Sequence, residues 1–164
     1  MKKKSKMNKK TIISVIIVIL IIISIVLINI FHYDTMKCSD SIKEDTYTIN
    51  NKYTIYYKKD IVKRVVIEKE INSNNNTVLA FFEKNYIDEF EKYNEEYGGY
   101  KIDSMKDKGK TTVKIELNLN KAKVYKIIES RSYLKDDVVG KSKKMKLKLD
   151  GIYKLFNINK NSCK

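Results

Sequence analysis

Hydrophobic and polar positions change rhythm several times along the chain, and each rhythm predicts a different element. Residues 12 to 31, IISVIIVILIIISIVLINIF, form an apolar run broken only by Ser14, Ser24 and Asn29 and free of charge. A helix of about 20 residues rises about 30 Å, the thickness of a bilayer's hydrocarbon core. A helix apolar on every side for that length is rarely found in the core of a soluble protein. The run therefore predicts a transmembrane helix. Residues 32 to 45 are mainly polar and read as a short spacer.

Beyond the spacer the period shortens to two. Tyr47, Ile49, Tyr53, Ile55 and Tyr57 fall on one side of an alternating pattern, interrupted by Asn50-Asn51, which predicts two strands joined by a tight turn. Ile61, Val65, Ile67 and Ile71 share a face of a third candidate strand, 61 to 71. The polar stretch 72 to 77 is a loop rich in helix-capping side chains. Leu79, Phe82, Tyr86, Phe90, Tyr93 and Tyr97 then recur every three or four residues, which predicts a helix from Val78 to Tyr97, and Gly98-Gly99 supplies its stop. The expected role of this aromatic stripe is packing on a sheet; a ligand groove is the second reading. Residues 100 to 106, a polar turn at 107 to 110, and the alternation Val113, Ile115, Leu117, Leu119 predict another hairpin. A short helix is expected at 121 to 129, no element is assigned to 131 to 145, and Met145 to Phe156 reads as a strand passing into a helix. The order ββ(β)αββα predicts an α+β domain, an antiparallel sheet covered on one face by helices, over residues 46 to 160.

Charge orients this arrangement. Lys2, Lys3, Lys4, Lys6, Lys9 and Lys10 precede the apolar run, whereas residues 32 to 46 set only Lys37 and Lys43 beside four carboxylates. The excess of lysine places residues 1 to 11 in the cytoplasm as a basic tail, residues 12 to 31 in the cytoplasmic membrane, and the rest outside. The run is longer than a signal peptide's apolar region, and the nearest small-x-small triplet, Ser39-Asp40-Ser41, lies well beyond its end. An uncleaved single-pass anchor is the preferred reading, a cleaved one the alternative. His32 and Tyr33 would then sit at the interface, where amphipathic rings are common.

The net charge of +14 adds less than its size suggests. Of 34 basic residues only Arg64 and Arg131 are arginine, and phosphate and base recognition favours arginine's planar fork. No nucleic-acid partner is expected. With one His and two Cys, a zinc site of three or four such ligands is nearly excluded, and so is a Ser-His-Asp arrangement. No catalytic residue, metal or cofactor is assigned. Carboxylates at Glu91 and Glu95 lack any calcium-loop pattern. A carboxylate-based envelope hydrolase stays as a minor alternative. The basic stretch Lys141, Lys143, Lys144, Lys146 and Lys148, free of acids, is a candidate contact for anionic envelope polymers or lipid headgroups. Cys38 and Cys163 flank the exported part in a compartment that permits disulfides, and either a bond between them or two free thiols fits the sequence. The bilayer, through residues 12 to 31, is the expected partner, with anionic polymers or another envelope protein beyond it.

Three stretches carry a family resemblance: Tyr56-Tyr57-Lys58-Lys59-Asp60-Ile61-Val62-Lys63, Glu96-Tyr97-Gly98-Gly99-Tyr100-Lys101, and the run from Val113 to Ala122. In order and spacing the chain from about residue 45 to 160 resembles the YehR-like small bacterial lipoproteins, a family of unknown function. The resemblance implies a small α+β domain held outside the cytoplasmic membrane and carries over no functional residue. Such lipoproteins are lipidated on a cysteine preceded by small residues, whereas Cys38 follows Thr35-Met36-Lys37. A transmembrane helix would here take the place of the lipid. The expected function is thus a membrane-anchored extracytoplasmic module that binds or supports rather than catalyses.

Overall fold

A computed structural model of the chain describes residues 17–24 and 33–164, in two compact units, Met1–Tyr33 and Asp34–Lys164. In the first unit residues 17–24 are α-helical, and the Ser24 hydroxyl donates to the Leu20 carbonyl at 2.8 Å. The rest of the predicted span 12 to 31, the six leading lysines and His32 lie outside the described residues. Among the described residues no helix is long and apolar enough to cross a membrane.

The second unit is built on a five-stranded antiparallel sheet. Its strands are β1 (Asp34–Lys43), β2 (Thr48–Lys58), β3 (Ile61–Asn72), β4 (Tyr100–Asp107) and β5 (Lys110–Asn118), in the order β1-β2-β3-β5-β4. Helix α1 (Asn76–Tyr97) connects β3 to β4, and α2 (Val124–Ser130) and α3 (Leu149–Leu155) follow β5. A two-stranded ribbon, β6 (Val138–Val139) with β7 (Lys146–Leu147), lies between them in sequence. The class is α+β.

Alternation sorts the sheet into two faces. Ile49, Tyr53 and Ile55 of β2, Val65, Ile67 and Ile71 of β3, and Val113, Ile115 and Leu117 of β5 are buried under the helices. The opposite face carries pairs such as Lys114–Glu68 and Lys110–Glu70, each at 3.7 Å. These pairs are solvated and contribute at most about 1 kcal/mol each; their value lies in keeping that face wet. Helix α1 starts where the Asn75 side chain accepts from the Thr77 amide at 2.9 Å, the capping bond expected of that loop. It ends at Gly98, with φ 68° and ψ 173°, a region essentially reserved for glycine. A Cβ on Gly99 would lie 2.7 Å from the Asn118 carbonyl oxygen and 2.8 Å from the Ala122 nitrogen. The bare glycine is what lets the chain turn off the helix directly against the end of β5.

Four sequence expectations change. Residues 34 to 43 are not a spacer but β1, paired along its length with β2. The compact unit accordingly begins at Asp34 rather than residue 46 and runs on to Lys164. The pair Asn50-Asn51 is not a turn. Strand β2 passes straight through it, and the tight turn lies at Lys59-Asp60, whose φ angles of 48° and 66° suit a two-residue hairpin. Opposite that hairpin the register slips between Tyr56 and Tyr57, so Val62 rather than Ile61 enters the core. Glu83 lies inside the buried stripe of α1 and is 8% exposed. Its carboxylate accepts from Ser104 Oγ at 2.8 Å and meets Lys106 Nζ at 2.7 Å. Chiefly the hydrogen bond from Lys106 holds that carboxyl below its ordinary range.

The chain's end returns to its beginning. Cys163 sits opposite Cys38 in an antiparallel bridge and the two are disulfide-bonded. Lys37 and Lys164 exchange backbone hydrogen bonds of 3.0 and 2.8 Å beside them. The tail thereby caps part of the outer edge of β1, which would otherwise offer unpaired amides to other chains.

Candidate binding cleft

The buried face of the sheet is not wholly apolar. Across one row of the register Asp40 of β1 stands beside Asn51 of β2, and Asn51 beside Lys69 of β3. The Asn51 amide donates to Asp40 Oδ1 at 2.6 Å, and Lys69 Nζ donates to Asn51 Oδ1 at 3.1 Å. Lys69 Nζ also lies 4.6 Å from the centre of the Tyr86 ring of α1, a cation–π contact. Burial pushes the Lys69 ammonium below the ordinary lysine range, opposed by the negative charges of Glu89 and Asp40. The same row raises the Tyr53 phenol, first through burial and then through Asp40. An ammonium in the buried row of a middle strand is costly to desolvate, so its presence there asks for a reason beyond packing.

The reason is visible in what leaves the row uncovered. Between α1 and the end of α3 a cleft of about 230 Å³ opens onto the sheet. Its floor is Tyr53, Ile67, Lys69 and Tyr100. One wall is Glu89, Phe90 and Tyr93 of α1; the other is Leu155, Phe156 and Asn157; Arg131, just past α2, completes the rim. The rings interlock, with Phe90 5.9 Å and Tyr93 6.1 Å from Tyr100 between centroids. The Arg131 guanidinium lies 5.2 Å from the Tyr93 ring centre and 5.4 Å from that of Tyr97. Glu89 accepts from the Tyr93 hydroxyl at 2.9 Å. Burial raises the Tyr100 phenol well above its usual range, and burial followed by Glu89 raises that of Tyr93. All three phenols are therefore hydrogen-bond donors at neutral pH.

The aromatic stripe of α1 packs on the sheet, and part of it also borders the cleft. Leu79 and Phe90 pack into the core, while Phe90 and Tyr93 also face the cleft. Sequence reasoning missed Lys69 and Arg131. The signal for Lys69 was its parity, because it falls on the same side of β3 as Ile67 and Ile71.

The residues singled out from the sequence lie elsewhere. Cys38 and Cys163 form the crosslink at the sheet's outer edge. Lys141, Lys143, Lys144 and Lys146 are exposed around a 3-10 turn and β7, while Lys148 is half-buried, its ammonium 3.4 Å from the Asp136 carbonyl. Glu91 and Glu95 are exposed on α1, and among the described residues no three His, Cys, Asp or Glu side chains gather to hold a metal. The cleft holds a single carboxylate, Glu89. Comparison with protein-family models, with curated proteins and with solved structures finds no match to this chain.

Proposed function

We propose that the protein is a single-pass, membrane-anchored module whose α+β domain is displayed outside the cytoplasm and works by binding rather than by catalysis. The observation that carries this reading is the Cys38–Cys163 disulfide within the domain. Such bonds persist in oxidising compartments and are rare where thiol reductants abound. The uncharged run 12 to 31 and the six lysines before it support the same orientation. The Ser24 hydroxyl bonds within its own helix, which is how serine is accommodated in apolar surroundings. The resemblance to YehR-like lipoproteins fits as well: there a lipid, here a peptide helix, keeps the domain at the membrane. The exposed lysines Lys141, Lys143, Lys144 and Lys146 give such a domain a surface for anionic polymers or headgroups.

The test uses the full chain in intact cells. A membrane-impermeant reductant followed by an impermeant, mass-shifting maleimide should label both cysteines, and neither should react without the reductant. Thiols that react only after the membrane is breached would place the domain inside and overturn the reading.

A further inference from the structure

The cleft has a composition that packing alone does not require. Lys69 and Arg131 touch neutral partners, an amide oxygen and aromatic rings. Among the described residues neither cation is in an ion pair, although many lysines on the surface are. Two cations thus reach the cleft, with Glu89 at its edge and Asp40 behind the Asn51 amide as the carboxylates nearest Lys69. The cleft's other surfaces are rings with their hydroxyls, aliphatic carbons and the Asn157 amide. A small ligand site combines an apolar lining with a few placed polar groups, and this cleft has that constitution.

Size narrows the ligand. A cavity of about 150 Å³ accommodates benzene. A volume of about 230 Å³ leaves room within the cleft for one ring and one charged substituent.

We propose that the cleft binds a small organic anion, a carboxylate carried on a flat apolar body, with Lys69 and Arg131 receiving the carboxylate and Phe90, Tyr93, Tyr100 and Phe156 receiving the body. Guanidinium and ammonium donors make charge-assisted hydrogen bonds to carboxylate oxygens. The rings offer the faces and edges that a planar group packs on. Glu89, held by the Tyr93 hydroxyl, stands at the rim and selects against ligands with a second negative charge. This assignment deepens the binding role proposed above but needs no particular membrane topology. Failure of one experiment therefore leaves the other standing.

The test is a titration of the full-length, disulfide-intact chain in neutral detergent micelles with benzoate, followed by saturation-transfer NMR and by chemical shifts of the tyrosine rings. Benzoate should bind with a dissociation constant on the order of 1 mM, as expected for a ligand of its size. Its affinity should fall as salt rises. Benzylamine, of the same shape and opposite charge, should not bind. Lys69→Met and Arg131→Gln should each weaken benzoate about tenfold or more, in samples that melt like the parent. If a variant does not fold, the benzylamine and salt comparisons on the parent chain decide the matter. No benzoate signal up to tens of millimolar, equal binding of benzylamine, or unchanged affinity in folded variants would each overturn the proposal. Inorganic phosphate binding as tightly as benzoate would overturn the assignment of the rings.

Discussion

Breaking the bond between Cys38 and Cys163 should lower the stability of the domain more than any single surface change. The two residues are 125 positions apart. Crosslinking a loop of that length removes enough disorder from the unfolded chain to stabilise the fold by about 5 kcal/mol in the chain-entropy treatment. The native side of the comparison is small. Cys38 is 3% exposed, so a Cys38→Ala/Cys163→Ala variant vacates two sulfur atoms, and the Lys37–Lys164 backbone bonds still hold the tail against β1. In a domain of this size each kcal/mol moves the melting temperature by about 3 to 5 °C. The variant, and the parent chain in reductant, should therefore melt about 15 to 25 °C lower by calorimetry or circular dichroism. The two perturbations should agree, because both act by freeing the same loop. A shift of less than about 5 °C in both would refute the reasoning and show that the unfolded chain stays compact without the crosslink.

Glu83 gives a prediction with a definite pH sense. Its folded carboxyl titrates below its unfolded value, so its stabilising contribution is present above about pH 4.3 and is lost as pH falls through the folded value. Glu83→Gln should destabilise by about 1 to 3 kcal/mol at pH 7, and the gap to the parent should narrow as pH falls below about 4.3; a gap in urea titrations that stays constant as the pH is lowered would contradict the ion pair's role. The two glycines after α1 should separate under substitution. Gly98→Ala carries only the backbone cost, about 1 to 3 kcal/mol, whereas Gly99→Ala adds a methyl 2.7 Å from a carbonyl oxygen and should cost clearly more; equal denaturation midpoints would sink this distinction.

What the sequence revealed follows from where each signal arises. The strands β3 and β5 and helix α1 bury one face each, so their periods survive in the one-dimensional pattern. Strand β1 is at the sheet's edge and has only Met36, Cys38 and Ile42 as larger apolar residues among charges and hydroxyls. It is a strand because β2 and the returning tail pair with it, and neither is a local property. Asn51 looks like turn chemistry because asparagine is common in turns; it sits inside because Asp40 and Lys69, 11 and 18 residues away, satisfy its amide. The cleft is harder still. Arg131 and Phe156 are far along the chain from Lys69, and only the tertiary fold brings them to one opening. Lys69 alone left a trace, as a charge on the apolar parity of β3.

The closure of Cys163 onto Cys38 bears on what proteases can do to this domain. Every peptide bond from residue 39 to 162 lies inside the covalent ring, so a single nick there cannot separate the chain into two diffusing fragments. The loop tips at Lys59-Asp60 and Lys108-Gly109 can be cut with both pieces retained through sulfur. If the domain is anchored through its amino end as proposed, its release requires a cut before Cys38, or reduction together with a nick. While the disulfide is intact, only cuts ahead of β1's buried cysteine free the whole domain from what precedes it.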